Sequence, residues 1–560
     1  MEQSESVLAE LDEQQRAAAS ALRGPVAILA GAGTGKTRTI THRIAHGVHT
    51  GTYAPERVMA VSFTKKAAGE LQQRLHHLGV QGVQPRTFHG AALQQLGYFW
   101  GQTIGGETPR IINSKLQILN QSLSMINITL DGQALRDVAA EIEWRKVSML
   151  TIDQYEKKLA ERGVVAGLES TQLIDVHNLY EKIKQDRIQI DFEDVLLLLT
   201  GMLREEPRVA DTVQEKYRFF TVDEYQDVSP LQHALLKTWL GDRVDICVVG
   251  DVSQTIYSFA GASSEYLRGF TSEFVEAKEF RLEANYRSTP EILTLANNLM
   301  KAQPGALQLR ARSKGAEFSP SFEWFESEKQ EAEAIANSVS NKIKKGTPAS
   351  HIAILYRSHA QSLQLEEALK NRGVSLRVQA GVRYFERADV KRAVMEIRAQ
   401  ALTPDDRPVF QVVSDVIRGQ GWSSKPPQSG TNERERWEVL GALLHLVDEM
   451  PKKTTIGQFS DELLRRSKTD HEPTFEAVTL STIHSAKGLE WPIVWIAGAN
   501  EGGIPISYAK TKKMIDEERR LFYVAITRAQ LELRISGSGK STKYPSRFLA
   551  EAQIPIFSSN

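Results

Sequence analysis

The chain of 560 residues has a single cysteine, Cys247. One cysteine excludes an intramolecular disulfide and any cysteine zinc cluster. In a chain this long, that scarcity fits a reducing compartment. Long apolar runs are also missing. Nothing approaches the roughly 18 residues of a membrane span, and Val195–Leu199 (VLLLL) reads as a buried element. The first twenty residues are acidic and polar, without the apolar stretch of a secretory signal. A cytoplasmic protein with no membrane partner is expected. An excess of one charge is lacking as well, since 69 Lys and Arg balance 69 Asp and Glu. That balance argues weakly against a nucleic-acid partner, yet it leaves room for a narrow basic track. The 13 histidines show no metal-ligand spacing, and His76-His77 reads as a solvated helix face. No fixed-period repeat or low-complexity tail is visible.

What is present is the mix of a soluble globular protein, 41% hydrophobic and 25% charged. It excludes collagen-like, mucin-like and wholly disordered chains. At roughly 150 residues per domain, three or four domains are expected. Strand-like runs at Val26–Gly31, Val58–Thr64, Phe219–Val222 and Val244–Gly250 alternate with helical stretches. One helix starts at Thr37. Another carries Ala67, Leu71, Leu75 and Leu78 at helical spacing, with Gly79 as its stop. Strands separated by helices imply a parallel sheet. Between Gly90 and about Ile190 the texture turns polar and helical, with Thr151 as a cap. A second α/β pattern has strand runs at Ile352–Tyr356, Ala477–Thr482 and Ile493–Ile496. The stretch between its halves is again helical and contains a Gly/Ser/Pro-rich segment, 418–436, read as a mobile loop. The expected layout is a first α/β domain, 1–90 and 191–285, with a helical insertion, 91–190. A second α/β domain, 286–380 and 475–560, carries a smaller helical insertion, 381–474. Cys247, inside VDICVVG, reads as an inert core residue.

Ala30, Gly31, Ala32, Gly33, Thr34, Gly35, Lys36 and Thr37 follow a strand and open a helix. That is the setting of a phosphate-binding loop. Glycines let the backbone curl so that its N–H groups face phosphates, and the helix N-terminus adds positive potential. Lys36 is placed to neutralise the β- and γ-phosphates, and the Thr37 hydroxyl to ligate Mg²⁺. Ala30 stands where glycine is usual, at the strand end. Phe219–Val222 leads directly into Asp223 and Glu224. Two acids at a strand end suit a carboxylate that holds Mg²⁺ through water and a neighbour that deprotonates the attacking water.

The order of these motifs resembles a superfamily 1 DNA helicase of the UvrD/Rep/PcrA type across nearly the whole chain. The similarity rests on Leu11–Arg16 (LDEQQR), Phe63-Thr64 with Lys66–Ala68, and Thr87–Gly90 (TFHG). It continues through Asp223–Asp227 (DEYQD), Gly250-Asp251 with Gln254, Tyr257 and Phe259, and Leu282–Thr289 (LEANYRST). Thr482–Glu490 (TIHSAKGLE) and Glu517–Ala529 (EERRLFYVAITRA) complete it. The resemblance implies two RecA-like parallel-sheet P-loop domains, each with a helical insertion, and ATP with Mg²⁺ as the nucleotide and metal. It implies that Gln15 reads adenine, Tyr286 stacks on it, Glu490 reaches the sugar, and Arg38 joins the nucleotide contacts. Gln254 would sense the γ-phosphate. Arg287 and Arg528 would stabilise transition-state charge, an effect that reaches about 10³–10⁵ in rate. Phe63, Thr64, Thr87, His89, Tyr257, Phe259, Thr482 and His484 become DNA contacts. Aromatic stacking on bases, worth about 1–3 kcal/mol each, supports this for Phe63, Tyr257 and Phe259.

The chain departs from the family in two places. Phe259-Ala260 stands where Trp-Arg is usual, giving a smaller stacking face. The second insertion, which follows Gly381–Arg387, is short, so the family's usual autoinhibition or duplex grip is not expected to be intact. The leading expectation is a 3′→5′ DNA helicase acting on single strands and single/double-strand junctions, monomeric in isolation. A single-strand translocase that displaces bound proteins and unwinds poorly without an activating protein is the alternative. A nucleotide-gated scaffold is disfavoured by Glu224, Gln254 and Arg528. A nuclease-helicase is disfavoured because no nuclease-like segment follows Pro545–Leu549 (PSRFL).

Overall fold

The computed structural model describes residues 2–557, apart from 163–164, 314, 316–317, 380–383, 403–406, 425–430, 452, 470–475 and 541–543. They group into two compact units. One is Met1–Gly31 with Gly35–Leu282, the other Ala32–Thr34 with Glu283–Asn560. Among the described residues no helix is long and apolar enough to cross a membrane.

The first unit is built on a six-stranded sheet. Its order is Arg86–Thr87, Val58–Ser62, Phe219–Val222, Ile246–Gly250, Val26–Ala30 and Lys278–Leu282, and every pairing is parallel. Strands such as Ile246–Gly250 are buried at every residue, as expected of a parallel sheet covered on both faces. Because all strands point the same way, the C-terminal ends of Val26–Ala30, Phe219–Val222 and Ile246–Gly250 share one edge. In such sheets that edge is where ligands bind. Cys247 is a free, buried core residue.

Helix Phe88–Thr103 packs with the sheet and with helix Phe192–Glu205 in one core. Buried Trp239 donates its Nε1–H to Gln95 Oε1 at 2.9 Å within it. Within the VLLLL run, Val195, Leu196 and Leu199 are buried on helix Phe192–Glu205, while Leu197 and Leu198 are partly buried. Four further helices, Lys115–Met125, Gly132–Val147, Ile152–Arg162 and Ser170–Asp186, make a core of their own around Leu119, Val138, Ile142, Tyr155 and Tyr180. An ionic cluster ties this layer to helix Phe192–Glu205. Asp191 Oδ2 accepts from Lys146 Nζ at 2.6 Å, Lys184 Nζ at 2.9 Å and the Tyr180 hydroxyl at 3.0 Å. Burial alone would push the Asp191 carboxyl up, but the two ammonium groups hold it well below its ordinary value.

The second unit has a seven-stranded sheet. Its order is Leu376–Val378, Val478–Thr482, Ile352–Tyr356, Trp491–Ile496, Ala529–Ser538, Ser321–Phe325 and Ile556–Phe557, again parallel throughout. Helices Ala388–Gln400, Val409–Gly419, Thr431–Asp448 and Ile456–Thr469 form a separate helical core. The loop read over 418–436 is corrected here, since Thr431–Asp448 is helical from its start. Beyond Asn432 the run ERERWEVLGALLHLVD is rich in strong helix formers. Its Val439, Leu440, Leu443 and Leu446 are buried, and that apolar face outweighs the turn signals before it. Residues 425–430 of that reading, and 381–383 of the segment before it, lie outside the described residues.

Candidate nucleotide and DNA sites

The edge of the first sheet gathers the candidate phosphate chemistry. After strand Val26–Ala30 the chain turns through Gly33 and Gly35 at φ +68° and +82°, conformations that favour glycine. Gly35 is the N-cap of helix Lys36–His49 and supplies no side-chain cap, so the first amides of that helix are available to an anion. Gln15 is held by a reciprocal capping box with Asp12. Its Nε2 lies 2.7 Å from where a Cβ on Gly35 would stand, so the Gln15 amide is seated against the loop. Arg38 Nη2 donates to Glu10 O at 2.9 Å. Lys36 Nζ reaches Ala30 O at 3.4 Å.

Asp223 ends strand Phe219–Val222 and is buried. Burial and the charge of Glu224 push its carboxyl up to about 7, against the pull of Lys36. Its Oδ1 accepts from Glu224 N at 2.9 Å. Glu224 has φ +53°, a left-handed conformation that is strained for a residue with a side chain and is typical of functional turns. The next strand, Ile246–Gly250, leads into the short turn Val252–Gln254, where buried Gln254 donates Nε2–H to Asp251 Oδ2 at 2.7 Å.

The Thr37 hydroxyl and the Asp223 carboxylate are hard oxygen donors of the kind Mg²⁺ takes. Among the described residues no group of three or more His, Cys, Asp or Glu could hold a metal. A cation at this edge would therefore complete its shell with substrate phosphates and water. Burial works against the charge of Asp223, and a nearby dication restores it. The residues present fit such an ion.

The aromatic candidates of this unit also meet. The Phe63 and Tyr257 rings stack at 5.7 Å and 15°, and Tyr257 meets Phe259 edge-on at 6.2 Å. Phe259 is 63% exposed. Thr64 and Thr87 have a structural duty that their motifs did not announce. Each is an N-cap, with Thr64 Oγ1 accepting from Ala67 N at 3.1 Å and Thr87 Oγ1 from Gly90 N at 3.0 Å. Burial, with Lys115 nearby, pushes the His89 imidazole down to about 4. Near neutral pH it is uncharged, which suits hydrogen bonding or stacking rather than ion pairing. It stacks on Phe192 at 4.6 Å. Phe192, 48% exposed, was absent from the sequence reading. The signal was there, since Asp191 and Asp194 form a capping box that puts Phe192 at the first helical position.

In the second unit, Tyr286 is half exposed. Arg287 forms an ion pair with Glu490 and donates Nη1–H to Thr527 O at 3.3 Å. Glu490 also accepts from Gln530 Nε2 at 2.9 Å. Arg528 is buried, and its guanidinium donates to Val524 O, Leu489 O and Thr527 Oγ1 at 2.9, 3.1 and 3.0 Å. The Thr482 hydroxyl donates to Ser485 Oγ at 2.9 Å and accepts from Ser485 N at 3.2 Å. Burial, with Arg357 and Lys487, pushes His484 down to about 4. Arg357, paired with Glu518 through Nε at 3.0 Å and Nη2 at 2.8 Å, was also missed; no quoted motif includes it.

Residues 11–275 match the family model of the UvrD/REP helicase N-terminal domain, and residues 280–426 and 422–540 that of the UvrD-like helicase C-terminal domain. The chain belongs to the UvrD/Rep helicase family. It is 41% identical to the ATP-dependent DNA helicase UvrD2 of Mycobacterium tuberculosis, over 98% of this chain and 82% of that protein. It is 29% identical to DNA helicase II of Escherichia coli, over 97% of this chain and 88% of that one. Rep of Escherichia coli, an ATP-dependent DNA helicase, is 29% identical over 97% of this chain and 94% of its own. The two parallel-sheet units are the family's two RecA-like domains.

Proposed function

We propose that this chain is an ATP-dependent DNA helicase that moves 3′→5′ along single strands in DNA repair, replication or recombination. One observation carries the proposal. Phosphate loop, paired acids and Gln254 share an edge of the first sheet, and the segment holding Gln254 runs on within five residues to the exposed ring of Phe259. Hydrolysis and base stacking thus sit on one short stretch of backbone.

In this reading the helix N-terminus at Gly35 and the Lys36 ammonium bind the phosphates, and Glu224 takes the proton of the attacking water. Thr37 and Asp223 would hold Mg²⁺, which when bound would supply charge neutralisation at the phosphates. Gln254 reports the γ-phosphate. Phe63, Tyr257, Phe259 and Phe192 stack on bases, with His89 as a neutral neighbour, while Thr64, Thr87, Thr482 and His484 line the strand. Gln15, Arg38, Tyr286 and Glu490 hold the nucleoside. Arg287 and Arg528 supply transition-state cations. For Arg528 this requires release of its bonds to Val524, Leu489 and Thr527.

Phosphate release with and without an oligo-dT strand tests the reading. Hydrolysis stimulated by the strand is expected, with Lys36→Ala inert. Hydrolysis indifferent to DNA would count against it. A second reading, a protein-displacing translocase that needs a partner to unwind, draws support from the second helical insertion, whose described part is four helices around one small core.

A further inference from the structure

Gln226 carries none of the roles assigned above, yet it is fully buried beside the paired acids. Its Oε1 accepts from Asp251 N at 3.0 Å. That bond fixes the orientation of the amide, because a flip would set its NH₂ against an N–H and its oxygen against a carboxylate. Nε2 therefore faces the acids, donating to Glu224 Oε2 and, at 3.3 Å, to Asp227 Oδ2. The fit is tight. A Cβ on Gly250 would stand 2.4 Å from Gln226 Oε1, so glycine at the strand end is what admits this amide. On the far side, the Asp251 carboxylate accepts from Ser253 N at 2.9 Å and Gln254 Nε2 at 2.7 Å. A continuous chain runs from Glu224 through Gln226 and Asp251 to Gln254, and the backbone then continues to Tyr257 and Phe259.

We propose that Gln226 is a positioning residue that aims the Glu224 carboxylate and ties it to the segment that stacks on DNA. The proposal rests on the reading of Glu224 as the base. Movement of segment 251–259 when bases stack on Phe259 would shift Asp251 N, and through the Gln226 amide would re-aim Glu224. The left-handed φ of Glu224 shows a backbone position held by its surroundings. The charged and titratable groups around the acid pair are Asp227, Asp251, Lys36, Glu70 and the Tyr257 hydroxyl, which burial, Asp227 and Glu224 push up.

The test is steady-state ATP hydrolysis, read as kcat and KM with and without oligo-dT, for the full chain and Gln226→Glu, Gln226→Met and Glu224→Gln. Gln226→Glu keeps the shape and the acceptor for Asp251 N but sets a carboxylate against Glu224. Stimulation by DNA is expected to fall about tenfold, with KM for ATP little changed. Gln226→Met should lose the stimulation as well. A uniform loss in both variants, with the stimulation ratio unmoved, would mean a merely structural role and overturn the proposal. An inactive Glu224→Gln beside an unaltered Gln226→Glu would leave the base in place and remove the positioning role. Full activity in Glu224→Gln would remove both.

Discussion

At the scale of single residues, the proposed function puts cation binding and stability of the fold in conflict at Asp223. Its unfolded carboxyl titrates near 4, while in the fold burial and Glu224 push it up to about 7. Between those values the folded state binds the extra proton, so stability falls as pH rises through that window, and the deficit is complete above about pH 7. Asp223→Asn removes the deficit. It should raise the unfolding free energy of the nucleotide-free protein by about 1–3 kcal/mol at pH 8, with the difference from wild type shrinking toward pH 4, as read by thermal melts. The same variant should lose hydrolysis, which is the usual conflict between stability and function. Arg528→Ala should lower turnover by about 10³ or more while nucleotide still binds, as measured by kcat beside direct ATP titration. A loss confined to KM would assign Arg528 to binding instead. Thr64 and Thr87 show the limit of motif reading at this scale. A threonine before a helix is a cap by chemistry, and both were read only as DNA contacts.

At the scale of elements, the ionic cluster at Asp191 is the joint between the first helical layer and helix Phe192–Glu205. Asp191 is fully buried with two ammonium groups and a hydroxyl on one oxygen. Lys184→Met leaves that charge undercompensated, at a cost of about 3–5 kcal/mol. A urea midpoint that falls accordingly, with Phe192→Ala nearly neutral, would locate the stability in the joint and not in the exposed ring. Much of this layer of structure was legible. The strands expected at Phe219–Val222 and Ile352–Tyr356 have those bounds, and the one expected at Val26–Gly31 agrees to within a residue, because continuous apolar runs bounded by turns have few other uses. Ala529–Ser538 and Ser321–Phe325 were not legible. Ala529–Ser538 buries Glu532, Ser536 and Ser538, polar residues satisfied by partners far away in sequence. Ser536 and Ser538 donate to Glu331 at 2.6 and 2.7 Å, and Glu532 accepts from Lys342 at 2.6 Å. No local pattern announces such distant partners. Gln226 was hidden for the same reason, since its meaning lies in Asp251.

At the scale of the whole molecule, the proposed function combines balanced charge with an exposed aromatic ring, Phe259, and so implies a grip that relies on stacking as well as on phosphates. Affinity for oligo-dT should fall with salt at a slope of about −0.7 per phosphate contact. Phe259→Ala should weaken binding by about 1–3 kcal/mol at every salt concentration and leave the slope unchanged. A flattened slope would place Phe259 among the phosphate contacts. The same variant should uncouple ATP hydrolysis from movement along the strand, checked by comparing phosphate release with translocation rate.

Directional unwinding driven by ATP is the activity that the proposed function requires of this chain. Its most direct test is strand displacement on matched duplexes bearing a 3′ or a 5′ single-stranded tail, with Lys36→Ala as control. Expected is displacement from the 3′-tailed duplex alone, dependent on ATP and absent in the variant. Displacement from the 5′ tail would contradict the polarity. Displacement from neither tail, with DNA-stimulated hydrolysis intact, would contradict autonomous unwinding and favour the translocase.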